Sequence, residues 1–353
     1  MNTMRIGERI IGRGHPTFII AEIGVNHDGS VDRALELAGT AADCGADAVK
    51  LQIFRADQLM HGGAGFAEYQ RQRISASNPA EMLRRYELSD SDLLAIVNHI
   101  RERNLVPLAT PFSISDVERI ETLDLPAIKI ASPDIVNRPL IRRAMRAKRP
   151  MLISTGAATI GEVGRCVDWT LGNSVALLHC ISSYPVEVSD AHLAWIRELS
   201  VRFNVPMGYS DHTIDENAGA FAVAAGACVI EKHLTYDCSA TGPDHTASAD
   251  PAAFARYVRA IRRAEQWMGS GPKRVLPAET DVRSISRQSL VLARAVHAGE
   301  RIRAEFLLTQ RPASGISAAD LDDVVGRFTN CDLPAGTMLQ WDMIASVADE
   351  RAA

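Results

Sequence analysis

Between residues 17 and 268 eight short, apolar, β-rich runs recur, each followed by a longer stretch with helical periodicity. They read "TFIIAEI", "DAVKLQ", "LVPLAT", "AIKIAS", "PMLIST", "SVALLHC", "VPMGYS" and "CVIEKHL", and "VDRALELAGTAADCG" is a representative intervening helix. Strands that alternate with helices pair in parallel, because each crossover returns the chain to the same end of the sheet. Eight units of this kind predict an α/β chain that closes into a (β/α)8 TIM barrel. A doubly wound open sheet usually carries a Gly-rich phosphate fingerprint after its first strand, and "EIGVNHDGS" does not fit G-x-G-x-x-G.

The barrel reading covers residues 1–270. One connection inside it is anomalous: more than thirty residues separate "KLQIF" from the helix at "SDSDLLAIVNHIRER". Loops of that length are commonly lids, so "RADQLMHGGAGFAEYQRQ" is expected to cover the barrel mouth. After "EQWMGSGPKRVLPAETD" the pattern changes. The Gly- and Pro-bearing stretch 271–286 reads as a linker, and 287–353 as a small β-rich domain with short strands and turns.

A net charge of −5 without a long basic run argues against a nucleic-acid partner. No stretch of 18 or more uncharged apolar residues follows an N-terminus that itself lacks a cleavable apolar segment, so no membrane span and a cytoplasmic location are expected. The six cysteines lack C-x-x-C spacing, which leaves buried, reduced thiols as the expectation.

Alternate residues of a barrel strand face inward or toward the helices. In "DAVKLQ", Val49 and Leu51 share the helix-facing side, which turns Lys50 and Gln52 inward. The same parity turns Glu22, Lys129, Ser154, Glu231 and His233 inward. Each sits at the C-terminal end of its strand, the face from which barrel enzymes work. Buried charge requires a partner or a ligand. A self-satisfied ion-pair network of Glu22, Lys50, Lys129 and Glu231 is one solution. The other is a ligand: two inward lysines suit an anion with more than one negative group, and the hydroxyls of Thr110, Ser132, Ser154 and Ser210 could donate to its oxygens. His212 and His233, after adjacent strands, suit a divalent metal bound by two imidazoles, with Asp211 and Glu231 near enough in sequence to orient them.

The motifs "AEIGVNHDGS", "AVKLQ", "ATPF", "KIAS", "LISTG", "LLHC-I-SSYP", "GYSDHT", "VIEKHLT" and "GPDHTAS", in this order, resemble the N-acetylneuraminate (sialic acid) synthase family. The C-terminal "RQSL…AGERI…RPASGI…VVGR…AGTML" resembles that family's antifreeze-like (SAF) domain. The resemblance implies condensation of phosphoenolpyruvate with an N-acetylmannosamine-type sugar to a nine-carbon α-keto acid and phosphate. It implies that Lys50, Thr110, Lys129, Ser154, Ser210 and Tyr184 hold phosphoenolpyruvate, with Ser132 and Gln52 close by. His212 and His233 would bind a divalent metal, usually manganese, with magnesium or cobalt as alternatives. Glu22 would lie near the attacking water, Glu231 and Asp244 near metal water or sugar hydroxyls, and Arg311 would reach the sugar of the other chain in a domain-exchanged homodimer. Two positions depart from the family pattern: Pro133-Asp134 replaces a common Gly-Glu pair, and Ser182 replaces an asparagine found in some bacterial members, so sugar contacts at Asp134 and Ser182 are shorter. Legionaminic-acid-type and 6-phosphate sugars stay open as substrates. A barrel synthase acting on a smaller phosphorylated sugar and a non-catalytic carbohydrate-binding barrel are the competing readings.

Overall fold

A short hairpin, β1 (Met4–Ile6) and β2 (Arg9–Ile11), precedes eight strands: β3 (Phe18–Gly24), β4 (Ala48–Ile53), β5 (Val106–Pro111), β6 (Ile128–Ile130), β7 (Met151–Ser154), β8 (Val175–Cys180), β9 (Met207–Asp211) and β10 (Val229–His233). These elements come from a computed structural model that describes residues 3–60 and 79–345. The eight strands pair in parallel in chain order, and β10 returns to β3, so the expected barrel is closed. Local signals in the sequence start the intervening helices. Ser89 and Asp92 form a reciprocal capping box on Asp90–Glu102, Thr159 and Glu162 do so on Ile160–Trp169, and Asp250 caps Pro251–Met268 with proline in its first turn.

The pleat sorts the strand residues as its period of two requires. Ile19, Ala21, Ile23, Val49, Leu51, Ile128, Ile130 and Ile230 face the helices and share one core with Leu37, Ile96, Ile141 and Tyr257. The inward residues change character along each strand. Ile20 gives way to Glu22, Ala48 to Lys50, Leu108 to Thr110, Ala127 to Lys129, Leu152 to Ser154 and Val229 to Glu231. One pleat therefore separates an apolar floor from a polar mouth. A one-residue register slip would exchange the two faces and put Lys50, Lys129 and Glu231 among the helices, so the burial pattern pins the register.

The floor has a cover that the sequence reading did not include. Met4, Ile6 and Ile11 of the hairpin pack with Phe18, Ile20, Leu108, Leu152 and Leu178 at the N-terminal end of the barrel. The hairpin lies outside the β/α alternation, which is why the alternation did not reveal it.

The chain divides into the units Met1–Ser270 and Gly271–Ala353. In the second, β11 (Ser289–Leu292) and β12 (Leu307–Gln310) pair antiparallel over a core that includes Leu290, Leu292, Val296, Ile316 and Leu339. Within 271–286, residues Thr280–Ser286 form a helix, and the Ala313 N–H donates to Ser284 O. All six cysteines are free; Cys166, Cys180 and Cys228 are buried as expected, whereas Cys44 and Cys238 are half-buried and Cys331 is exposed. Among the described residues no helix is long and apolar enough to cross a membrane. Most of the expected lid, residues 61–78, lies outside the described residues.

Candidate active site

At the C-terminal end of the barrel Lys50 forms an ion pair with Glu22 and donates to Thr110 Oγ1 at 2.9 Å. Lys129 donates to Ser154 Oγ at 2.7 Å and to Ile130 O at 3.1 Å. Glu231 stands between the lysines, 3.8 Å from Lys50 Nζ and 3.9 Å from Lys129 Nζ, and accepts from Ser210 Oγ at 2.8 Å. All seven groups are buried. The four charges pair with one another, yet Glu22 Oε1 and Glu231 Oε2 accept no hydrogen bond. Native interiors rarely leave such atoms unpaired, so both oxygens are open to a further donor.

Burial raises the Glu231 carboxyl, but Lys129, Lys50 and the Ser210 hydroxyl outweigh it and hold the group below its usual range. Burial, reinforced by nearby Lys129, pushes Lys50 down to about 8 against the pull of Glu231 and Asp244. A buried lysine so placed gains charge stabilisation when an anion arrives. Two residues beyond Ser154, the Gly156 N–H donates to Ser132 Oγ at 3.0 Å. A Cβ at Gly156 would collide with Ser182 Oγ and lie 2.8 Å from Ser132 Oγ and 3.2 Å from Cys180 Sγ, so glycine lets these three side chains close in on the backbone here.

The two histidines meet at the ends of β9 and β10. Their ring centroids are 5.6 Å apart, Tyr184 lies over His212 at 4.1 Å and stands edge-on to His233 at 6.1 Å. His212 Nδ1 is held 2.8 Å from Ile181 O, which leaves Nε2 to face a ligand. His233 Nδ1 is buried without a hydrogen bond and lies 3.7 Å from Asp244 Oδ2. Burial, His212 and the nearby lysines hold His233 well below its ordinary pKa, so it is the neutral imidazole that metals require. Two buried imidazoles, one with an orphaned nitrogen beside a carboxylate, fit a divalent cation. Among the described residues no group of three or more His, Cys, Asp or Glu side chains is placed to hold a metal ion, so the two imidazoles would be its only ligands of these types.

The remaining expected residues scatter more widely. Gln52 is half-buried and pairs in register with Thr110. Asp134 sits in the turn Ser132–Val136, its carboxyl raised by burial, and accepts from Asn137 Nδ2 at 2.8 Å. Ser182 is exposed at the rim, and Arg311 is exposed in the second unit, just after β12. Neither Asp211 nor Glu231 touches an imidazole through a hydrogen bond. Asp211 faces the helices, where it accepts from Lys232 and Tyr257, and Glu231 serves the lysines. Strand parity is the reason, since Asp211 is one residue out of phase with inward Ser210. His245, in the motif "GPDHTAS", braces loops by bonding Thr235 Oγ1 at 2.7 Å and Asp28 Oδ1 at 3.1 Å.

Two contributors escaped the sequence reading. Cys180 lies 3.7 Å from His212 Nδ1, and parity with Leu178 could have placed it inward. Asn26 donates to Leu234 O and Ser248 Oγ, both at 2.9 Å, tying the β3 end to the β10 end. No local signal marks that pair, which spans 208 and 222 residues.

Comparison with known proteins accords with this geometry. The NeuB family pattern matches residues 37–273 and the SAF domain pattern residues 287–345. An N,N'-diacetyllegionaminic acid synthase of Legionella pneumophila subsp. pneumophila is 38% identical over 94% of this chain and 96% of its own. The N-acetylneuraminate-9-phosphate synthase of Mus musculus is 32% identical over 90% of each. The crystal structure of N-acetylneuraminic acid (sialic acid) synthetase from Leptospira borgpetersenii serovar Hardjo-bovis, in complex with citrate, is 30% identical, covers 80% of this chain and 95% of that one, and superposes with a TM-score of 0.72. A closed barrel with paired lysines and paired histidines at its mouth, followed by a SAF domain, thus belongs to the NeuB family, a family of phosphoenolpyruvate-condensing transferases.

Proposed function

We propose that this chain is a nonulosonate synthase that condenses phosphoenolpyruvate with an N-acetylmannosamine-type aldose, releasing phosphate and a nine-carbon α-keto acid. The observation that carries the proposal is the gathering of Lys50, Lys129, Thr110, Ser154 and Ser210, together with His212 and His233, at one barrel mouth. The lysines hold the phosphate and carboxylate through charge-assisted hydrogen bonds and so fix the enol for attack. Carbon 3 of the enol forms the new bond to the aldehyde carbon, whose π pair moves to oxygen. Carbon 2 then takes up water, and the tetrahedral product expels phosphate as its C–O bond breaks and the ketone forms. Glu22, with a buried oxygen that accepts no hydrogen bond, receives the proton of that water in this reading. His212 and His233 would hold a divalent cation, manganese in the first instance, which would supply Lewis acidity for the sugar carbonyl.

Asp134 and Ser182 contact sugar groups in this reading, with shorter reach than the Glu and Asn of relatives. Arg311 serves the acetamido group across a domain-exchanged homodimer, a role supported by the family resemblance alone. A 2,4-diacetamido-trideoxy sugar is the second reading for the acceptor, favoured by the 38% identity to the legionaminate enzyme against 32% to the neuraminate-9-phosphate one.

Phosphate release by metal-stripped protein, measured with phosphoenolpyruvate and each candidate aldose before and after adding Mn2+, tests the proposal. Release should require both sugar and metal. Silence with every such aldose, phosphorylated or not, would favour a barrel that only binds carbohydrate.

The Lys50 shift adds a pH dependence. Below about 8 Lys50 carries the proton that binds the anion, and above it that charge is lost. kcat/KM for phosphoenolpyruvate should therefore fall as pH rises through that value. A flat profile there would remove Lys50 from the anion site.

A further inference from the structure

Behind the histidines lies a buried polar cluster that the proposed reaction does not use. β9 and β10 pair so that Lys232 is opposite Asp211, one residue before the histidine on each strand. Both side chains face the helices. Lys232 Nζ donates to Asp211 Oδ2 at 3.0 Å and also to Thr213 O. Tyr257 OH, from the helix Pro251–Met268, donates to the same carboxylate oxygen at 2.8 Å, and Thr213 N–H donates to Asp211 Oδ1 at 2.8 Å. Exposure is 0% for Asp211, 3% for Lys232, 1% for Thr213 and 1% for Tyr257.

Packing alone does not call for this arrangement. Apolar side chains of similar volume usually replace a buried ion pair with no loss of stability. What the cluster adds is geometry. Asp211 holds the N–H of Thr213 and Lys232 holds its carbonyl, so the peptide units on both sides of Thr213 are fixed, the first to β9 and the second to β10. The ring of His212 is fixed separately by Ile181 O. Space for the tyrosine is also built in, since a Cβ on Gly219 would fall 2.7 Å from the Tyr257 hydroxyl.

We infer that Lys232 and Tyr257 are positioning residues that, through Asp211 and the Thr213 backbone, set the separation of the His212 and His233 imidazoles. This rests on the reading of the two histidines as metal ligands and adds to it a determinant outside the barrel. Tyr257→Phe keeps the ring and its packing while removing one bond to Asp211, and Lys232→Met removes the clamp on Thr213.

The test is titration calorimetry of each variant with Mn2+ alone and with phosphoenolpyruvate alone, together with thermal unfolding. Mutating partners that orient a metal's ligands weakens metal binding by roughly ten- to a hundredfold. Mn2+ affinity of Tyr257→Phe should fall by about the lower figure, while phosphoenolpyruvate affinity, which depends on the lysine wall, stays unchanged. Unchanged Mn2+ affinity, or a parallel loss of both affinities with the melting temperature, would overturn the inference. Should Lys232→Met not fold, Tyr257→Phe decides alone. Should the wild-type protein bind no Mn2+, the metal reading falls. NMR of histidine-labelled, metal-free protein then decides: Tyr257→Phe should broaden or shift the His212 signal and leave that of His245 in place, and an unaltered His212 signal would count against positioning.

Discussion

His233→Ala is expected to abolish Mn2+ binding at the barrel mouth while leaving the barrel folded. Losing a ligand must cost more than losing a group that merely orients one, so affinity should drop by at least about a hundredfold. The side chain is buried and its Nδ1 makes no hydrogen bond, so its removal orphans no hydrogen-bond partner. Asp244 Oδ2 lies 3.7 Å from its Nδ1. The lysine wall is untouched, and phosphoenolpyruvate should still bind in the absence of metal. Calorimetry with Mn2+ and with phosphoenolpyruvate, alongside circular dichroism, separates these outcomes. A variant that binds Mn2+ like the wild type would remove the imidazole pair from the metal site.

Lys129→Met should weaken phosphoenolpyruvate binding without unfolding the protein. One charge-assisted contact is worth about 1.5–3 kcal/mol, or roughly 10- to 150-fold in affinity. Methionine keeps the apolar stem, and Glu231 retains Ser210 at 2.8 Å and Lys50 at 3.8 Å, so no carboxylate is left wholly unpaired. This variant also discriminates between the two readings of the charge cluster. If Glu22, Lys50, Glu231 and Lys129 were only a structural network, the melting temperature would fall and phosphoenolpyruvate affinity would not change. A loss of affinity at near-native stability identifies an anion site.

Most of this was legible along the chain because strand parity is a local property. A period of two turned Lys50, Lys129, Glu231 and His233 inward from their apolar neighbours alone, and the same eight runs gave the closed barrel. Parity also carried more than was taken from it. Applied to Asp211 and Lys232, it sends both toward the helices, away from the imidazoles that Asp211 was expected to orient. The N-terminal hairpin was missed for a different reason: three-residue strands outside the β/α repeat leave too short a pattern to recognise.

The sequence by itself determined which residues face the barrel interior and at which end the polar ones gather, since both follow from alternation within single strands. Only the tertiary structure decided which of them meet. Closing the barrel brings β10 beside β3 and sets His233 opposite Glu22, a pairing across more than two hundred residues. The same closure places Glu231 between two lysines from β4 and β6, and Asp244 against His233. Such meetings depend on strand order, tilt and register around the whole barrel, and no window of sequence contains that information.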